Sequence, residues 1–87
     1  MNIKKEDYEK VRKNILKKLY SCKAFKKGHL LFETLQKGIP SHLVGYGKDI
    51  LKELVKENLV CVYGKTKHGL AFQLNINKIE EIEKIIF

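Results

Sequence analysis

The chain has 87 residues, 44% of them hydrophobic, and a formal net charge of +8 from 18 Lys and Arg against 10 Asp and Glu. That length gives one domain around one core and leaves little volume for an enclosed catalytic cleft, so a binding function is expected rather than an enzyme. No apolar run approaches the roughly 18 residues of a membrane span, and the opening MNIKKEDYEK lacks the apolar segment of a secretory signal, which predicts a cytoplasmic protein with no membrane partner.

The charge is unevenly placed. Residues 1–28 hold ten basic and three acidic side chains, residues 29–58 four of each, residues 59–77 two lysines and no acid, and residues 78–87 come to −1. An excess of this kind favours an anionic partner, most often nucleic acid. Lysine abundance alone also accompanies AT-rich coding or a hot habitat, so the distribution carries more of the argument than the total.

A first helix is expected from about Lys5 to Tyr20, with Tyr8, Val11, Ile15 or Leu16, and Leu19 facing the core. Lys10, Lys13, Lys17 and Lys18 then fall on its outer side, and Lys23, Lys26 and Lys27 follow in a polar connection. His29 to Lys37 reads as a second helix with Leu31, Phe32 and Leu35 inward. Gly38-Ile39-Pro40 stops it, Ile39 plugs the turn, and Ser41 is placed to cap the next element. Gly45 and Gly47 each cost roughly 1 kcal/mol inside a helix relative to alanine, so an irregular turn is expected over Ser41 to Tyr46 and the regular third helix from near Gly47.

That helix carries Ile50, Leu51, Leu54 and Val55 at spacings of three and four and ends at Asn58. Leu59 to Tyr63 is an apolar, β-branched run, and Leu70, Phe72 and Leu74 alternate with Ala71, Gln73 and Asn75 as in a half-buried strand. The stretch Gly64-Lys65-Thr66-Lys67-His68-Gly69 between them reads as a basic reversal that both glycines permit. A last helix is expected from Asn77, as its cap, to Ile86. Its face of Ile79, Ile82, Ile85 and Ile86 suits either packing on the first helix or, as the preferred expectation, a homodimer across a two-fold axis.

No cofactor is expected. Cys22 and Cys61 make no CxxC, and Cys22, Cys61, His29, His42 and His68 lack the close ligand spacing of a metal site, so Cys61 reads as core and the histidines as surface or cap residues. No nucleophile with an adjacent base, paired carboxylates in an apolar setting, or phosphate-cradling glycine loop is visible.

The segments GHLLFETL, GIP, DILKELVKENLV and YGKTKHGLAFQLN, in that order, resemble the winged helix-turn-helix superfamily over roughly residues 8–75 of the single domain 1–87. The run L-x-x-L-x-x-x-x-L-V in DILKELVKENLV is similar to that of many archaeal and bacterial regulators of this type. The resemblance implies a mainly α fold (α+β) with a three-helix core, a two-stranded β-hairpin wing and a C-terminal helix over 77–86. A first strand between the first two helices, common in that superfamily, is not expected here beyond a bridge near Ala24-Phe25.

The resemblance further implies a third helix entering a major groove while the wing touches an adjacent backbone or minor groove. The matching positions are His42, Tyr46, Lys48 and Lys52 on the helix, and Lys65, Thr66, Lys67 and His68 on the wing. Lysines suit phosphates, whereas base reading is thinly provided for, with Arg12 the one arginine of the chain. Beside the stripe Lys48, Lys52 and Lys56 runs an acidic stripe, Asp49, Glu53 and Glu57. Either the acids face away, with Lys52 paired to Asp49 and Lys56 to Glu53, or this helix is not the binding surface.

Double-stranded DNA is thus the first partner expected, for a transcriptional regulator. RNA comes second, held by Lys10, Lys13, Lys17, Lys23, Lys26 and Lys27 with Tyr46 or Tyr63 stacking on an unpaired base. A protein-interaction module using the last helix is third.

Overall fold

The computed structural model describes residues 2–87, among which there are four α-helices and a three-stranded antiparallel sheet, an α+β arrangement. In chain order these are α1 (Lys5–Ser21), β1 (Leu30–Leu31), α2 (Phe32–Gln36), a 3-10 helix (Ser41–Tyr46), α3 (Gly47–Lys56), β2 (Val60–Thr66), β3 (Gly69–Leu74), a second 3-10 turn (Ile76–Lys78) and α4 (Ile79–Ile86). The core is a single cluster to which α1 gives Val11, Ile15, Leu16 and Leu19, α3 gives Ile50, Leu51 and Leu54, and the sheet gives Val60, Phe72 and Leu74.

The connections from α1 to β1 and from α3 to β2 begin with the same helix ending. At α1 the amide of Lys23 donates to Tyr20 O (3.0 Å) and that of Ala24 to Leu19 O (2.8 Å). At α3 the amide of Asn58 donates to Val55 O (3.0 Å) and that of Leu59 to Leu54 O (3.1 Å). Each is the paired 5→2 and 6→1 closure of a Schellman motif, with Lys23 (φ 54°) and Asn58 (φ 63°) at the left-handed position and a buried apolar residue, Ala24 or Leu59, after it. Asparagine tolerates that conformation; lysine there is strained.

The sheet departs from the two-stranded expectation. Leu30 and Leu31 pair with Phe72 and Ala71, so β3 is the central strand of the order β1-β3-β2. The bridge expected at Ala24-Phe25 survives as one bond, Leu74 N to Ala24 O at 2.7 Å. The second helix is correspondingly shorter than His29 to Lys37: its first turn unwinds into β1, because the free edge of β3 offers Leu30 and Leu31 ladder partners that the local sequence does not reveal.

Register also revises the hairpin. Strand β2 runs on to Thr66, a bulge between Val62 and Gly64 leaves Tyr63 without a direct partner, and the reversal is confined to Lys67 and His68 between Thr66 and Gly69. Gly69 (φ 115°) is the glycine the turn requires, while Gly64 is a strand residue beside the bulge. Leu70 is exposed and Ala71 fully buried, against the expected alternation, whereas Phe72 and Leu74 are buried as expected.

The third helix starts at Gly47 after an irregular turn, as the glycines suggested. A Cβ on Gly47 would lie 2.7 Å from Ile39 Cδ1, so Gly47 makes room for the Ile39 plug. Ser41 does not act as a cap; it is the first residue of the 3-10 helix and Pro40 precedes it. Nor does Asn77: the Asn75 side chain accepts from Asn77 N (3.1 Å) and donates to Asn58 O (2.7 Å), tying the start of α4 to the end of α3.

Helix α4 lies on α1 within the chain. Ile82 and Ile86 are buried in the core cluster, and Ile79 and Ile85 pack partly against it. Tyr20 of α1 donates its hydroxyl to Glu83 Oε2 (2.5 Å) and meets Phe87 edge-on with centroids 5.3 Å apart. The surface assigned to a dimer seam is therefore largely occupied by this chain's own first helix.

Candidate nucleic-acid interface

On α3 the three acids have different surroundings. Glu57 faces α1, where its Oε2 accepts from Arg12 Nη2 at 2.7 Å. Burial pushes the Tyr8 phenol of α1 above its ordinary pKa, and the carboxylates of Glu57 and Glu53 push it further the same way. Glu53 and Lys56 lie 3.8 Å apart, the i,i+3 pair anticipated; Asp49 and Lys52 form no such pair among the described residues. Glu57 is thus turned toward α1 and away from the lysine stripe, whereas Glu53 borders that stripe at Lys56.

Lys48, Lys52 and Lys56 project on the opposite side, over a groove of about 590 Å³ between α2, α3 and the hairpin. Its floor is apolar, with Leu51 and Val55 from α3, Phe32 from α2, and Val62, Leu70 and Phe72 from the strands; His68 stands at the hairpin end and Glu33 on the α2 side. Lys65 is the cross-strand partner of Leu70, so the two side chains share one sheet face and Lys65 is carried on the groove side of the hairpin.

Of the eight residues expected at a nucleic-acid site, Lys48, Lys52, Lys65 and His68 are thus brought around one groove. Lys67 is exposed at the tip. Thr66 is engaged in the turn: its Oγ1 donates to Gly69 O (2.8 Å) and accepts from His68 N (3.1 Å). His42 and Tyr46 sit on the 3-10 helix and do not line the groove; His42 is exposed, and the Tyr46 ring is half-buried with its hydroxyl donating to Asn2 O (3.0 Å).

The six lysines expected on a second basic surface lie on two neighbouring segments. Lys10, Lys13 and Lys17 are exposed along the outer side of α1, and Lys23, Lys26 and Lys27 are exposed in the loop before β1. None of the six lies within 4.0 Å of a carboxylate among the described residues. Gly28 holds that loop closed: a Cβ there would lie 2.3 Å from Lys23 O. Next to it, His29 stacks on Tyr63 with centroids 4.2 Å apart and planes 13° apart, leaving an exposed aromatic pair that the sequence did not foretell. Cys22 and Cys61 are free thiols, and Cys61 is half-buried and not part of the core.

Among the described residues no three His, Cys, Asp or Glu side chains come together as metal ligands, and no helix is long and apolar enough to cross a membrane. No family model matches the chain, and no curated protein or solved structure matches it either.

The apolar floor was the part of the site that sequence reasoning missed. Leu51 is a core residue as expected, with an edge on the groove; Val55, expected in the core, is half-buried, and Leu70, expected on the buried side of its strand, is exposed. The signal was present in the hairpin itself, where Val62 and Leu70 extend the apolar pattern beyond what one short helix can cover.

Proposed function

We propose that the protein binds nucleic acid as a winged-helix domain, with duplex DNA the first ligand. The lysine edge of α3 and the hairpin tip, acting as a wing, would straddle the phosphate backbone. The element order α1-β1-α2-α3-β2-β3 supports this reading, because the strand between the first two helices supplies the piece of the superfamily pattern that the sequence lacked. The observation that carries it is the row of lysines on the α3 side of the groove. With Glu57 held by Arg12 toward α1, a phosphate approaching that lip meets Lys48 and Lys52. Lysine contacts of this kind give affinity through counterion release and little base discrimination.

The test is anisotropy of a labelled duplex of about 20 base pairs across a salt series. Lys65→Ala with Lys67→Ala should weaken binding and lower the salt slope by up to about two phosphate contacts, roughly 0.9 each. An unchanged slope removes the wing from the reading.

One observation favours a second ligand class. The exposed His29–Tyr63 stack beside Lys23, Lys26 and Lys27 offers a flat face and free cations to an unpaired base and its phosphate. Tyr63→Ala should then weaken a single-stranded RNA by roughly 1–3 kcal/mol and leave the duplex unaffected.

A further inference from the structure

A phosphate backbone can use the lysines on the lip of the α3–hairpin groove, but it cannot use the floor. Val62 and Leu70 are 50% and 47% exposed, opposite Leu51 and Val55 of α3 and above Phe72. Apolar surface of this extent gains nothing from a charged, hydrated strand and much from another apolar face. None of the chain's own described segments covers it, since the apolar side of α4 lies on α1.

We propose that this groove is the docking site for an acidic amphipathic helix of a partner protein. Three features select that occupant. The apolar floor is flanked along α3 by Lys48, Lys52 and Lys56, four residues apart, hence about 6 Å apart along the helix. Of these three, among the described residues, Lys56 alone has an internal partner, the loose 3.8 Å contact with Glu53, so the α3 lip presents cations in want of anions, while the one acid on the groove's lining, Glu33, stands on the α2 side. A helix laid alongside α3 with Glu or Asp at the same four-residue spacing matches that row charge for charge, while Leu or Ile between the acids enters the groove at three- and four-residue steps. A second copy of this chain is the poorer occupant: each copy carries +8, and the buried Ile82 and Ile86 of α4, its acidic helix, are engaged in its own core. The inference does not depend on nucleic-acid binding.

The experiment uses the full chain and a labelled probe peptide of about 16 residues, Ala-rich, with Leu on one face and Glu flanking it at four-residue spacing. The control is a scramble of the same composition and charge. The designed helix should bind at least about tenfold more tightly than the scramble, and V62S with L70S should remove at least about that factor. Both replaced side chains are half-exposed, so the variant should keep its helical circular dichroism. Amide shifts in the unaltered protein, which decide the matter if the variant melts, should centre on Leu51, Val55 and Leu70. Equal binding of the scramble, shifts centred on Lys10 to Lys27, or no binding at all overturns the proposal. So does displacement of the peptide by decanoate with matching shifts and tighter binding, which would make the groove a small-molecule site.

Discussion

Single residues at the left-handed positions decide how α1 and α3 end. Lys23 holds φ 54° with an ordinary side chain, at a cost of about 1–2 kcal/mol relative to glycine's freedom there, part of which glycine returns as unfolded-state entropy. Lys23→Gly is therefore expected to stabilise the fold by about 0.5–1 kcal/mol, read as a higher urea midpoint at unchanged m-value. Gly28→Ala should do the reverse, since its Cβ would press on Lys23 O, a backbone atom that cannot rotate away. Tyr20 adds a pH dependence. Its hydrogen bond to Glu83 raises the phenol pKa above 10.0, and burial adds to the shift. The folded state thus holds this proton more tightly than the unfolded chain; the stabilisation is complete below the unfolded pKa and declines as pH rises through the folded one. Tyr20→Phe should flatten the fall in melting temperature measured in the alkaline range above about pH 10.

At the scale of elements, α4 gives the clearest expectation. Ile82 is fully buried against α1, so Ile82→Ala should cost about 2–5 kcal/mol, and Ile82→Glu should unfold the chain, outcomes that thermal melts distinguish from dissociation of a folded dimer. The isoleucine face was legible in the sequence, but its partner was not, because amphipathicity states that a face is buried without stating against what. The same limit explains β1. Leu31, Phe32 and Leu35 fit a helical stripe, and only the distant edge of β3 draws Leu30 and Leu31 into the sheet. Where the decisive interaction is local, sequence and structure agree: the irregular turn before Gly47, the stop at Asn58 and the inward Phe72 and Leu74 are where the residues call for them. The lysines around the groove are legible in the sequence and its apolar floor is not, and the placement of Glu57 depends on Arg12, 45 residues away.

For the molecule as a whole, two groups of exposed lysines stand out, one at the α3–hairpin groove and one on the α1–loop face, which offer different geometries to a ligand. A ligand held by charge on the first surface should release with rising salt, whereas one seated on the apolar floor should persist at salt concentrations that screen exposed lysines within a few Å. Comparing a duplex with the probe helix at about 0.1 and 0.5 M salt should therefore separate the two modes by their slopes.

The end of β3 gathers bonds from three directions. Leu74 N reaches Ala24 O after α1, Asn75 N reaches Leu59 O after α3 (2.9 Å), and the Asn75 side chain holds Asn58 O while receiving Asn77 N before α4. No piece of the chain can detach there without releasing the others. In hydrogen–deuterium exchange, the amides of Leu74 and Asn75 are expected to open only in the global unfolding event, while those of Lys67 and His68 exchange through opening of the tip alone. The protein would then keep two clocks: a slow one at the knot that times its survival, and a fast one at the hairpin tip.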